Sequence, residues 1–161
     1  MFVLANAALI TLATQITSLY FHDTSVTLEA IVARSNRVLK VGGREVAQTS
    51  FDLKANLTNL FDWNCKQVFL FVEASYQTKE SGRSRVMVYD AILTSKENAI
   101  IRAESIFSEY DIEDFDAQLR GSNVTLKIGW DVMPYIGLMG KASHLGVSRE
   151  STHFLLPKKY G

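Results

Sequence analysis

The chain has 161 residues, with 17 basic side chains against 17 acidic ones and a formal net charge of zero at neutral pH. That length suffices for one domain with a real core, and the balanced charge argues against a nucleic-acid partner, which calls for an excess of Lys and Arg to meet phosphates. Two prolines, nine glycines and one cysteine leave little composition for disorder and no intrachain disulfide, so stability has to come from packing.

Residues 1–21 contain no Asp, Glu, Lys or Arg. As a helix this stretch reaches ~30 Å, the thickness of a bilayer hydrocarbon core. Asn6, Thr11, Thr14, Gln15, Thr17 and Ser18 dilute it. Three readings compete: an uncleaved membrane anchor, a cleaved signal peptide, and a buried amphipathic helix of a soluble domain. The lack of a basic n-region speaks against the second and the lack of charge against the third. The anchor reading makes residues 1–21 transmembrane. Phe2, Leu9, Ile10, Leu12, Ile16, Leu19 and Tyr20 then face lipid, with Tyr20 and Phe21 at the interface. Gln15 belongs against a partner helix, where such side chains find hydrogen bonds.

From residue 24 onward, period-two patterns dominate. Val26–Val32 alternates as a strand entering a half-buried sheet. Arg34–Arg44 has loop character and ends in the turn signal Gly42-Gly43. Phe51, Leu53, Ala55 and Leu57 are expected to point inward, and Asp52, Lys54, Asn56 and Thr58 outward. After a polar corner at residues 61–66, a strand is predicted over Gln67–Gln77, a turn around Gly82, and a strand over Val86–Leu93. Ile100, Ile101, Ile106 and Phe107 suit either a strand or a short helix, and Tyr110–Asp116 reads as an exposed acidic connection. Asn123–Val132 is strand-like and stops before Pro134. Gly137, Gly140 and Gly146 mark a looser stretch before a short final strand at His153–Leu156. The expected fold class is mainly β: an antiparallel β-sandwich over residues 22–161, preceded by one N-terminal transmembrane helix.

The segment Phe61-Asp62-Trp63-Asn64-Cys65-Lys66-Gln67-Val68-Phe69-Leu70-Phe71-Val72 is the most specific in the chain. Its run of Val, Phe and Leu from Val68 to Val72 requires cover on both faces of a strand. Trp63 has two readings, a plug at the end of the sandwich or a partner contact. Asn64 reads as satisfying backbone groups in the turn. Lys66 and Gln67 are the better candidates for polar contacts with a partner, and Trp63 and Asn64 complete that candidate set.

This segment, with Phe51-Asp52-Leu53 before it, resembles the signal peptidase complex subunit 3 family. Val88-Tyr89-Asp90-Ala91-Ile92 is similar to a second family motif, with Tyr89 where Trp is usual. Asn123-Val124-Thr125-Leu126 and Trp130-Asp131-Val132-Met133-Pro134 resemble a third, with Asp131 in place of Asn. Ala5-Asn6-Ala7-Ala8-Leu9 looks like the start of the family's anchor, with Leu4 where an Arg is usual. The resemblance implies a single-pass protein of the endoplasmic reticulum membrane, its amino terminus cytosolic and its sandwich lumenal. It implies a non-catalytic accessory subunit whose partners are the catalytic signal peptidase subunit, other subunits of the complex and membrane lipid.

Beside this stands the chemistry of the residues. His22, His144 and His153 have no metal-ligand spacing, no nucleophile elbow occurs, and no Gly-rich loop precedes a helix. Cys65 reads as a small buried apolar residue rather than a reactive thiol. No cofactor and no small-molecule substrate are expected. Two sequons, Asn123-Val124-Thr125 and Asn56-Leu57-Thr58, are glycosylation candidates, Asn123 the more accessible. A secreted or lumenal binding module with a cleaved signal peptide, and a membrane-anchored hydrolase, are the rival readings.

Overall fold

The computed structural model describes residues 2–21, 25–78, 82–114, 119–136 and 145–160. Its elements are helix α1 (Phe2–Phe21) and strands β1 (Thr27–Val41), β2 (Arg44–Asn56), β3 (Cys65–Thr78), β4 (Gly82–Leu93), β5 (Ile100–Phe107), β6 (Ile112–Asp114), β7 (Asn123–Pro134) and β8 (Leu145–Leu155). Short 3-10 turns at Thr58–Leu60 and Lys96–Asn98 precede β3 and β5.

Two antiparallel sheets result, as the alternation predicts. One runs β1-β2-β5 with β6 also on β2, and the other runs β4-β3-β7-β8. Phe51, Leu53, Ala55 and Leu57 from the first sheet meet Val68, Leu70, Val72, Val124, Leu126 and Ile128 from the second, all at 1% exposure or less. Phe51 and Tyr89 meet edge-on across this layer, their centroids 6.1 Å apart. The hydroxyl of Thr152 on β8 donates to the Ile31 carbonyl on β1 at 2.5 Å, tying the sheets at one side.

Several expectations are corrected. Residues 34–41 are not a loop: β1 pairs with β2 down to Val41↔Arg44, closed by Gly42 and Gly43 at φ 57° and 88°. Two such angles in succession make a tight hairpin turn, which two glycines adopt freely. Asp52 does not lie free on the outer face. It is 6% exposed, because the Arg34 guanidinium (2.5 Å) and the Ser105 amide (2.9 Å) cover it. Arg34 foremost, then Ser105, holds its carboxyl below the usual range.

Ile100–Phe107 is a strand. Within the acidic stretch, Ile112–Asp114 pairs with Glu45–Ala47, and Ile112 is fully buried; residues 115–118 lie outside the described ones. Gly146 belongs to β8, which starts eight residues earlier than the expected final strand. Gly137, Gly140 and His144 lie outside the described residues, as does His22.

α1 is a helix of 20 residues. By length and hydropathy, no helix among the described residues is apolar and long enough to cross a membrane. The apolar side chains of Val3, Leu4, Leu9, Ile10, Leu12 and Ile16 remain 45–80% exposed. The hydroxyls of Thr11, Thr14 and Thr17 donate to the carbonyls of Ala7, Thr11 and Ala13, so these polar groups are satisfied within the helix. The side chains of Phe2, Gln15, Leu19 and Tyr20 lie outside what is described.

Candidate functional site

β3 carries apolar residues on both faces, one fully buried and the other half-buried at Phe69 and Phe71. Val68, Leu70 and Val72 fill the core with no exposure. Phe69 and Phe71 point the other way by the period of the strand, and their ring centroids are 5.9 Å apart. Phe69 lies between Ile92 on β4 and Asp131 on β7; Phe71 lies between Asp90 and Gly129. A Cβ at Gly129 would come within 2.2 Å of the Phe71 ring, so the ring rests directly on bare backbone. Gln67 continues the row and donates to the Met133 sulfur at 3.0 Å. Ile92 is 59% exposed.

The outer face of this sheet thus carries an apolar band of Met133, Phe69, Phe71 and Ile92, rimmed by Asp90, Asp131, Glu73 and Lys127. The outer face of the other sheet carries the ion pairs Arg34–Asp52 and Lys54–Glu104 beside exposed Val32 and Ile100.

The corner before β3 is held by two interlocked devices. Asp62 Oδ1 accepts from the Asn64 amide at 2.9 Å, an Asx turn. The Asn64 side chain then clasps the end of β7: Nδ2 donates to the Ile136 carbonyl at 2.9 Å, and Oδ1 accepts from the Ile136 amide at 3.0 Å. The Tyr135 amide donates to the Asn64 carbonyl at 2.8 Å. Asn64 is 3% exposed, and its side chain satisfies the backbone of Ile136 rather than that of its own turn, whose side-chain bond Asp62 supplies. Trp63 is 60% exposed and does not plug the sandwich. Lys66 is exposed, at the irregularity between the Cys65↔Pro134 and Gln67↔Met133 pairs.

Cys65 is buried, and burial together with the nearby Asp62 pushes its thiol up to about 11. It stays protonated at neutral pH and has no thiolate to offer as nucleophile. His153 is exposed between the hydroxyls of Thr125 (2.8 Å) and Ser151 (3.3 Å). Among the described residues no group of three His, Cys, Asp or Glu side chains could hold a metal ion.

At the far end of the sandwich Glu45 is fully buried at the start of β2. It accepts from the amides of Leu119 (2.8 Å) and Arg120 (3.2 Å), from Arg120 Nε (2.5 Å) and from the Tyr160 hydroxyl (3.0 Å). The Arg120 guanidinium also lies 4.5 Å from the Tyr160 ring centroid. Burial alone would raise the Glu45 carboxyl, but these hydrogen bonds outweigh it and hold it below the usual carboxylate range. This cluster fastens the carboxy-terminal residues to the β1–β2 hairpin.

Of the two sequons, Asn123 is exposed at the first position of β7. Asn56 is half-buried, and its Oδ1 accepts from the Thr58 amide (3.0 Å) and hydroxyl (2.7 Å).

The candidate partner residues do not converge. Gln67 and Lys66 border the apolar band, Trp63 stands at the sandwich end, and Asn64 is inside. The band itself, Phe69, Phe71 and Ile92, escaped the choice of site residues. Its signal was the unbroken apolar run from Val68 to Val72.

The protein family described as signal peptidase subunit matches residues 1–159. Among individual proteins, the chain is similar to signal peptidase complex subunit 3 of Saccharomyces cerevisiae, 36% identical over 104 residues, covering 64% of this chain and 56% of that protein. It is similar to the subunit 3 of Gallus gallus, 36% identical over 96 residues, 59% of this chain and 53% of that protein. The subunit 3 of Homo sapiens is 36% identical over 91 residues, 56% of this chain and 51% of that protein. The matches span about half the length of these relatives.

Proposed function

This chain belongs to the signal peptidase subunit family, and we propose from that premise that it is a non-catalytic accessory subunit of the signal peptidase complex. Its sandwich braces a separate catalytic peptidase subunit during cleavage of signal peptides at the endoplasmic reticulum. The observation that supports this reading is the outer face of β3 and β4, with half-buried Phe69 and Phe71 side by side and Ile92 59% exposed. Apolar residues aligned on an otherwise polar sheet surface suit a permanent protein contact, and Lys66 and Gln67 at its margin supply polar ones.

α1 is the anchor in this reading, with the sandwich lumenal. Supporting it are the absence of charge over residues 2–21, the exposed apolar side chains, and threonine hydroxyls satisfied by their own helix. A helix of such modest apolarity suits a place among partner helices, where Asn6 and Gln15 find hydrogen bonds, better than full immersion in lipid. Anchoring raises the effective concentration of the sandwich beside the peptidase, so a modest contact suffices.

Depletion of the protein is expected to leave secretory precursors translocated but uncleaved; normal maturation without it would overturn the proposal. Affinity purification in mild detergent is expected to recover a serine-type membrane peptidase. In a lumenal setting Asn123 carries a glycan and Asn56, its carboxamide engaged, carries less. Endoglycosidase treatment should therefore shift the wild type and N56Q on a gel, and should leave N123Q nearly unmoved.

A further inference from the structure

We infer that Trp63, Tyr135 and Ile136 form a second membrane contact, an aromatic foot that rests in the headgroup layer beside the α1 anchor. The inference rests on the reading of α1 as that anchor.

The topology collects the pieces. β1 starts at Thr27, opposite Asn56 at the end of β2, and Asn56 pairs in turn with Ile100 at the start of β5. Cys65 at the start of β3 lies opposite Pro134 near the end of β7. All these ends therefore lie at one end of the sandwich, the end at which the chain enters from α1. The Asn59 carboxamide reaches Ser25 at 3.2 Å, which ties the corner before β3 to the first residues of the lumenal chain. Only four residue steps separate Ser25 from Phe21, so even a fully extended chain keeps them within ~14 Å. The headgroup region adds only ~5–7 Å to each side of the hydrocarbon. A sandwich tethered this closely keeps that end at the membrane surface.

What that end presents is specific. Trp63 is 60% exposed, Tyr135 64% and Ile136 44%. The three are held together by the Asn64 clasp, since Asn64 bonds both Tyr135 and Ile136 and directly follows Trp63. The exposure is therefore that of a fixed surface, not of a loose loop. Trp and Tyr, with an apolar ring and one polar handle, are the side chains that favour the interface between headgroups and acyl chains. Lys66, exposed two residues past the clasp, can meet lipid phosphate.

The test uses the full chain reconstituted in vesicles of phosphatidylcholine and phosphatidylserine, with lipids brominated close to the headgroup. Fluorescence of the wild type is expected to contain a lipid-quenched component that W63F lacks, because Trp130 is half-buried in β7 and serves as unquenched background. Alkaline carbonate extraction of the same vesicles reads α1 independently. A chain that resists extraction but shows no quenching of Trp63 overturns the foot and leaves the anchor standing. A chain released by carbonate overturns the anchor and the foot with it. Co-purification of the peptidase by W63A/Y135A is expected to match the wild type; its loss would assign these rings to a protein partner and also overturn the foot.

Discussion

Replacing Ile92 by Asp separates folding from docking. The side chain sits on the outer face of β4 opposite Phe69 and is already 59% exposed, so the folded chain alone gains or loses little. Surface substitutions of this kind stay within about 0.5 kcal/mol, which moves the melting temperature of a domain this size by about 1–2 °C. In the proposed complex the same position is covered. Burying a whole Ile side chain contributes about 1.5–3 kcal/mol, and covering the exposed three-fifths here contributes about 1–2 kcal/mol on the same scale. A carboxylate in its place forfeits that and also loses water, beside Asp90 and Asp131 on the same face. A further cost of about 2 kcal/mol is a modest allowance for an unpaired charge in a closed contact. The total, about 3–4 kcal/mol, corresponds to a loss of at least 100-fold in affinity. The assay is peptidase recovered in detergent at increasing dilution, where tethering by the bilayer no longer masks the sheet contact, alongside thermal unfolding of the free chain. I92V should behave as wild type in both. Wild-type recovery of the peptidase by I92D, with the melting temperature unchanged, would refute the assignment of this face.

Three further outcomes follow from the packing. G129A places a methyl against the Phe71 ring and is expected to cost about 1–2 kcal/mol in urea unfolding; in an F71A background the same change should cost almost nothing. N64A removes both bonds to Ile136 and is expected to destabilise by about 2 kcal/mol, with faster proteolysis near residue 136 as the local sign. E45Q keeps the shape but cannot accept at both ends, and should cost about 2–3 kcal/mol. The folded Glu45 pKa lies below its unfolded value, so its contribution is fully present above the unfolded pKa and disappears as pH falls through the folded one. E45Q should therefore flatten the acid limb of the stability curve, and an unchanged limb would refute that account.

Much of the architecture was written locally. Phe51, Leu53, Ala55 and Leu57 alternate with polar neighbours, and an inward-pointing row followed because a pleated strand turns every second side chain to one face. Gly42-Gly43 marked a turn, and the structure makes it the tip of a hairpin because few other pairs accept two positive φ angles. The family was legible at the corner before β3, where a turn, a clasp and a two-faced strand are packed into a dozen residues.

What remained hidden depended on partners distant in sequence. Residues 34–41 look like a loop because their polar side chains break the alternation, yet Ser35–Val41 pair with β2 residue by residue. Asp52 was read as solvent-facing because nothing local indicates that Arg34, 18 positions away, will cover it. Composition and period determined the two-layered sheet, the uncharged leading helix and the excess of apolar residues on β3. Only the tertiary arrangement decided that Asn64 turns inward while Trp63 turns out, and that Phe69, Phe71 and Ile92 share one outer face. Side-chain direction along a strand is a local property, but cover over that side chain comes from whichever strand the register brings alongside.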